Sequence, residues 1–421
     1  MIALIRHTTV ALGLLVISLS STLLADDSGG SGYSRYGLGD LRYFVDSRAA
    51  GMGGAGLASL PVDEISELNP ASWADITHTR FFLGTLYEGF STSDISSSSY
   101  RSHMVFNGAS VALPVSTESG FVVSAGLLPY SRVNYNVIVP ITESDLSFTT
   151  QYVGSGGLSL AYIGSSATIG HDLHIGAKLD YYFGTLEYTT RQNFITADYA
   201  SSEIVRSNEL RGIGFSFGAI LGGLEKLLQL PSTSSLTIGG VLTTTSYLTE
   251  TDERFYTYNS STLQTGDTIA APDFKTKLPY AAGGGITFST ERFQVAADMY
   301  HQHWGVTLDP SGATLRDDKR YSIGAELTPK RGPNLPFTQR WAYRLGFFYD
   351  ESYYELFGTP INETGLTGGF GIPVFGDSRL NIGIQYSFRG TTDNQLQKDK
   401  ILRISLTLSG GELWFVRTEQ E

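Results

Sequence analysis

The chain has no cysteine among its 421 residues, which excludes both a disulfide framework and lipid attachment through a cysteine. Charge is also sparse: Asp, Glu, Lys and Arg make up 17% of the chain, against roughly a quarter in soluble proteins. Bases are the scarcer sign, 29 against 41 acids, and the formal charge of −12 argues against nucleic acid as a partner. Beyond the first 25 residues there is no run of 18 or more apolar residues, so no helical membrane span is expected. The chain is rich instead in glycine, with 48 residues, and in aromatics, at 12%. Few charges with abundant Tyr, Phe and Gly suit a bacterial outer-membrane barrel, which faces lipid outside and a crowded lumen inside.

Arg6 and His7 precede an uncharged stretch from Thr8 to Leu24, which ends at Ala25 before Asp26 and Asp27. A short basic start, an apolar run and a small residue before an acidic start read as a secretory signal peptide over residues 1–25. The expected mature chain is exported and a little more acidic than the whole, since Arg6 leaves with the leader.

A two-residue rhythm then runs through most of the sequence. In Leu173–Gly184 one alternate set is entirely apolar, and the other is His174, Gly176, Lys178, Asp180, Tyr182 and Gly184. Leu380–Arg389 and Tyr321–Leu327 repeat the pattern. Because strand side chains alternate between faces, each segment has one greasy face and one polar or glycine-rich face. About fourteen such segments can be marked, from 80–90 to 399–409, most reaching the roughly 9–11 residues a tilted strand needs to cross a bilayer. Short connectors alternate with longer ones rich in Ser, Thr, Asp, Asn and Tyr, among them 131–154, 189–207 and 250–278. Short periplasmic turns and long external loops are the habit of such barrels, and an even strand number closes the edges. The expectation is an all-β, transmembrane antiparallel barrel of about fourteen strands over residues 79–410, with a periplasmic tail over 411–421. Residues 222–231 read either as a short helix or as a plain turn.

Residues 26–78 do not alternate. They carry Gly51, Gly53, Gly54 and Gly56 in a compact Gly/Ala stretch, then Asn69, Pro70 and Ala71 just ahead of the first strand. A barrel of this size encloses more volume than its own side chains fill, so a plug or hatch inside it is expected. Gating is assigned to those seven residues.

The stretch Ser47–Ala55, followed by Asn69-Pro70-Ala71, resembles the start of FadL-type outer-membrane transporters. The distal residues Tyr343–Phe347, Arg389–Thr392, Arg403–Leu406 and Trp414-Phe415 resemble an uncharacterised branch of that family from Bacteroidetes-like bacteria. The resemblance implies a fourteen-stranded barrel with an N-terminal hatch that passes long-chain fatty acids or other hydrophobic compounds. It places the Asn-Pro-Ala motif on Asn69, Pro70 and Ala71 and leaves the ligand-binding residues unknown. The sequence departs from many barrels by continuing past Phe415 to Glu421 rather than ending on an aromatic.

Several motifs look chemical. Gly51–Gly56 matches a dinucleotide loop but lacks the flanking strand, helix and distant acid. Ser216, in Gly214–Gly218, matches a nucleophile elbow yet lies inside a continuous alternation. An enzyme built on Ser216 with His174 or His103 is a remote alternative, and the expectation is no catalytic residue. His301 and His303 share a strand face, with Asp298 and Asp309 as the nearby carboxylates, and read as interfacial histidines beside Trp304; no metal and no cofactor is assigned. Lys178, Asp180, Arg211, Glu326, Arg344, Asp350, Gln385, Arg389 and Arg403 are placed on inward faces, pairing with one another and with the hatch. Trp341, Tyr343, Tyr349 and Tyr386 form an interfacial girdle, and Tyr130, Tyr135, Phe255, Tyr256 and Tyr258 are assigned to external loops. The leading expectation is passive transport of hydrophobic small molecules across the bacterial outer membrane. The expected partners are outer-membrane lipid and a hydrophobic ligand. The alternative is a structural or accessory plugged barrel in a larger complex with other envelope proteins.

Overall fold

Alternation becomes burial in the strand Arg379–Gly390. Asn381, Gln385, Ser387 and Arg389 are buried, whereas Ile384, Tyr386 and Phe388 are 39%, 46% and 45% exposed. A soluble sheet would cover those apolar side chains with a second layer. Here they face outward all round, as a lipid-facing belt must. The computed structural model describes residues 29–143, 146–194, 199–259, 264–270, 274–306, 314–329 and 335–412. The expected leader, residues 1–25, and residues 413–421 of the expected tail lie outside this set.

Fourteen antiparallel spans close into one barrel, as the alternation predicts. The spans begin with Thr79–Ser93 and Ser98–Ser116; the third is broken into Phe121–Pro129 and Tyr135–Glu143. Leu146–Ile169, Leu173–Phe194 and Ser201–Leu221 follow. The seventh span is Ser234–Thr243 with Ser246–Asn259, and the eighth Phe274–Leu278 with Ala281–Thr290. Phe293–Gln302, Asp318–Leu327, Ala342–Glu351, Glu363–Pro373, Arg379–Gly390 and Lys398–Glu412 complete the cylinder. Thr79 pairs with Glu412 and Ser93 with Lys398, so first and last strands meet and no edge faces lipid. Short turns such as Thr290–Phe293 and Ile169–Leu173 gather at the end where Thr79 begins, which marks the periplasmic rim. Residues 222–231 form one helical turn, Leu224–Leu227, entered through Gly223 at φ +73°.

Three connectors differ from expectation. Residues 131–154, 189–207 and 250–278 are largely strand: Leu146–Ile169 has 24 residues, Leu173–Phe194 has 22 and Ser201–Leu221 has 21. A span needs about half that length, so the upper halves of these strands stand beyond the bilayer as a projecting sheet. Polar residues still alternate on a solvated strand, which is why composition reads them as loop. Tyr130 and Tyr135 are not on external loops. Tyr130 turns inward at the break in the third span, its hydroxyl accepting a bond from Gln302 (3.0 Å), and Tyr135 is buried. Phe255 and Tyr256 lie in the projecting strand Ser246–Asn259, as does the backbone of Tyr258. Arg211 faces outward, because it shares the parity of exposed Ile213, Phe215 and Phe217.

Depth along one strand generates a test. Phe215→Arg, on the lipid face near mid-span, should cost about 2–4 kcal/mol in reversible urea unfolding from lipid vesicles, whereas Ile204→Arg, on the projecting half, should cost under about 1 kcal/mol. Equal costs would contradict this placement.

Candidate functional site

Residues 29–78 pack against the inward faces of the strands. They run from the upper rim, where Ser31 donates to Asp399, down to the periplasmic rim, where Gly120 approaches the Ala74 carbonyl. Local sequence explains each bend. Asp46 caps the helix Ser47–Gly51 by accepting from the Ala49 N–H at 2.7 Å, and the chain leaves that helix through Gly53 and Gly54, both at positive φ. Asn69 caps the 3-10 turn Pro70–Asp75 by accepting from the Ala71 N–H at 3.0 Å, with Pro70 supplying a fixed φ at its first position. The same Asn69 amide donates to the Leu57 carbonyl at 2.9 Å and to Gly240 of the wall at 3.2 Å. Below it, the buried Trp73 stacks on Tyr162 and donates to the Ser66 carbonyl.

The wall makes room with glycine. A Cβ on Gly218 would lie 1.9 Å from the Asn69 amide oxygen, and one on Gly346 would lie 2.3 Å from the backbone of Met52. Asp298 then holds the segment's turn, accepting the N–H groups of Gly56 (2.6 Å) and Leu57 (2.8 Å). Gly51 is held from the other side, its carbonyl accepting from Thr367 at 2.9 Å. Thus six of the seven residues assigned to gating (Gly51, Gly53, Gly56, Asn69, Pro70 and Ala71) lie at bends, caps or wall contacts of this segment, and Gly54 turns against Phe44.

Two buried ionic networks tie segment to wall. In the upper one, Glu88 accepts from Arg42 of the segment and from Arg403 (2.9 Å), and His103 lies 3.2 Å away. Arg403 continues to Glu363 at 2.6 Å, while Arg389 bridges Asp40 of the segment (2.6 Å) and Asp399 (3.2 Å). In the lower one, Glu326 accepts from Arg48 of the segment at 2.7 Å and from Arg344 at 2.9 Å, and Arg344 stands 3.6 Å from Glu64. Arg320 donates to the Gly53 carbonyl and pairs with Asp350 at 2.9 Å, its guanidinium 4.0 Å over the Phe348 ring. Between the networks remains a cavity of about 220 Å³. Its wall is aromatic at Tyr43, Phe44, Tyr130, Tyr182 and Tyr300, and charged at Lys178, Asp180, Asp318, Arg320, Arg389 and Arg403.

Of the inward residues expected from the alternation, Asp180, Glu326, Arg344, Gln385 and Arg389 are buried in this lumen, with Lys178, Asp350 and Arg403 beside them. Glu88, Glu363 and Asp399 were missed, as were Arg42, Arg48 and Glu64 from the segment. Glu88 shares its face of Thr79–Ser93 with Arg80 but also with Phe82, Leu86 and Phe90, so the charges that mark the inward side are diluted by apolar neighbours. Ser216 bonds Asp180 and Thr243, while His174 meets Thr168 and His103 meets Glu88. The structure therefore brings neither histidine to that serine.

The BamG family profile matches residues 4–420. The chain belongs to the BamG family. No curated protein matches it. Among solved structures, this BamG-family barrel is similar to a Pseudomonas aeruginosa FadL homologue at 11% identity and TM-score 0.60, covering 88% of this chain and 99% of that one. It is also similar to the Ralstonia pickettii toluene transporter TbuX at 15% identity and TM-score 0.57, covering 87% and 97% of the two chains. The P. putida toluene transporter TodX matches at 14% identity and TM-score 0.57, over 87% and 98%. At these identities the likeness is one of fold. It agrees with the FadL-type barrel the sequence resembles, while the family match is to BamG.

Removing Glu88 would take the carboxylate from Arg42 and leave Arg403 with Glu363 alone. Glu88→Ala should cost about 3–5 kcal/mol of unfolding free energy and open the segment to protease, whereas an equal loss at Glu203, half-exposed and paired with Arg191 on the projecting strands, would contradict the network's role. Glu67 of the segment adds a pH dependence. Burial pushes its carboxyl up to about 7 against the pull of Lys178. A raised folded value means its contribution is full below about 4.5 and is lost as pH climbs through 7. Wild-type stability should therefore fall from pH 5 to pH 8 relative to Glu67→Gln, by up to about 3 kcal/mol; parallel curves would refute this.

Proposed function

We propose that this protein is a plugged outer-membrane barrel that serves as a structural or accessory subunit, docking other envelope proteins rather than conducting solutes. The observation that carries this reading is the lumen. Residues 29–78 run down it, leaving a cavity of about 220 Å³, and buried ion pairs at Glu88, Glu326 and Arg389 fasten them to the wall at two levels. A hydrophobic solute crossing this space would have to displace paired charges, and each broken buried pair costs several kcal/mol. On this reading the segment is a permanent plug, and Gly51, Gly53, Gly54, Gly56, Asn69, Pro70 and Ala71 seat it rather than gate it.

The projecting sheet supports the same reading. It presents Ile138, Val139, Tyr199, Ile204 and Phe255 above the bilayer, all at least 40% exposed. Among the described residues Tyr135–Glu143 pairs on one side only, with Leu146–Ile169, so the sheet offers both a face and an edge to a protein partner.

A second reading, passive transport of hydrophobic small molecules such as long-chain fatty acids, is favoured by the fold shared with the FadL homologue and the toluene transporters and by the aromatic part of the cavity wall. The same hatch residues would then move. Two measurements separate the readings. Native mass measurement after gentle extraction should find a protein partner in fixed ratio and an empty lumen; bound lipid or aromatic ligand without a partner would overturn the accessory role. In planar bilayers the full chain should be silent and a chain lacking residues 26–75 should conduct. A full chain that conducts as well as the truncated one would remove the plug.

A further inference from the structure

Outside the lumen, the strand end Phe293–Gln302 and its continuation place two imidazoles on one side of the upper rim. Gln302 points inward to Tyr130, so His301 and His303, one residue either side of it, point outward. The register pairs Gln302 with Asp318, which sets His303 opposite Asp317 and His301 on its diagonal. The His301 Nε2 lies 3.1 Å from Asp317 Oδ2, and the His303 Nδ1 lies 2.9 Å from the same oxygen. These three ligand atoms all fall within 4.8 Å of one another.

We infer that His301, His303 and Asp317 form a binding site for a divalent transition-metal ion of the zinc class. Two imidazole nitrogens and a carboxylate oxygen are the donor types such ions take, and donors about 3.3 Å apart fit a tetrahedral ion with bonds of about 2.0–2.1 Å. The three side chains are 31%, 34% and 26% exposed, so an aqueous ion can enter and water can complete its shell. Orientation is built in as well. The Gly305 N–H donates to Asp317 Oδ1 at 2.9 Å, leaving Oδ2 turned to the histidines, and the His303 ring rests against Tyr280. The neighbouring cation Lys319 is directed to Glu351. Trp304, next in sequence, is buried against Tyr353 of the connector that follows Ala342–Glu351, so a bound ion would pin the start and end of one external connector beside the next. Sequence spacing alone did not reveal the site because its carboxylate arrives from the far end of the connector, just ahead of Asp318–Leu327.

The test uses the full chain, folded in detergent and free of any histidine tag, titrated with Co²⁺ and read by its visible absorption. One ion per chain, displaced by Zn²⁺ and not by Mg²⁺ or Ca²⁺, is expected. His303→Gln, His301→Gln and Asp317→Asn should each weaken binding at least about tenfold, and His171→Gln should leave it unchanged. Folding of each variant is checked by its heat-shifted gel mobility, and any one folded variant suffices for the comparison. No uptake of Co²⁺ or Zn²⁺ by the wild type at about 100 µM overturns the site, as does wild-type affinity in a folded ligand variant.

Discussion

A charge inside a membrane barrel must find an opposite charge, because neither lipid nor a packed lumen can solvate it. The rest of this structure follows from how that demand is met. Arg42, Arg48 and Asp40 come from the N-terminal segment, whereas Glu88, Glu326 and Arg389 come from the wall. The wall partly pairs its own charges, through Glu88 with Arg403, Glu326 with Arg344 and Arg389 with Asp399, and the segment's Arg42, Arg48 and Asp40 join those same clusters. The segment, which has little regular structure of its own, thus finds its charge partners on the wall, whatever their separation in sequence.

Sterics make the same match. Close approach of two backbones requires that one side lack a Cβ, and the strands supply this at Gly218 against Asn69 and at Gly346 against Met52. The short helix, its two positive-φ glycines and the capped turn at Pro70 let a single chain descend the lumen while its N–H and carbonyl groups find partners in Asp298, Thr367 and Asn69. On the accessory reading proposed above this segment is a fixed plug, whereas on the transport reading the same contacts would have to break. The shared architecture with the FadL homologue and the toluene transporters is compatible with either, since a fold hosts many functions.

The outer surface has its own division of labour. Below the upper rim the wall is apolar and continuous, as lipid requires. Above it, strands of 21 to 24 residues carry the sheet into water, where hydrogen bonding between neighbours replaces the enclosing bilayer as the reason for staying extended. The His301, His303 and Asp317 group sits where that solvated region begins, beside the Trp304 and Tyr353 ring contact.

By itself the sequence determined that the chain is a membrane barrel of fourteen spans, because facing alternates residue by residue and a local period needs no tertiary information. It also marked the one long region without the period and the glycines and Asn69-Pro70 within it. Orientation was legible wherever one face was clearly polar, as in Arg379–Gly390, and failed where apolar residues dilute the charged face, as around Glu88, or where solvated strands looked like loops, as in 131–154. Arg211, expected on an inward face, is a smaller failure: it shares the parity of Ile213 and Phe215 and faces outward. Only the tertiary structure decided which charges meet. Arg48 and Glu326 are separated by most of the chain, and nothing local in either neighbourhood names the other; barrel closure, a condition on all fourteen strands at once, brings them to 2.7 Å.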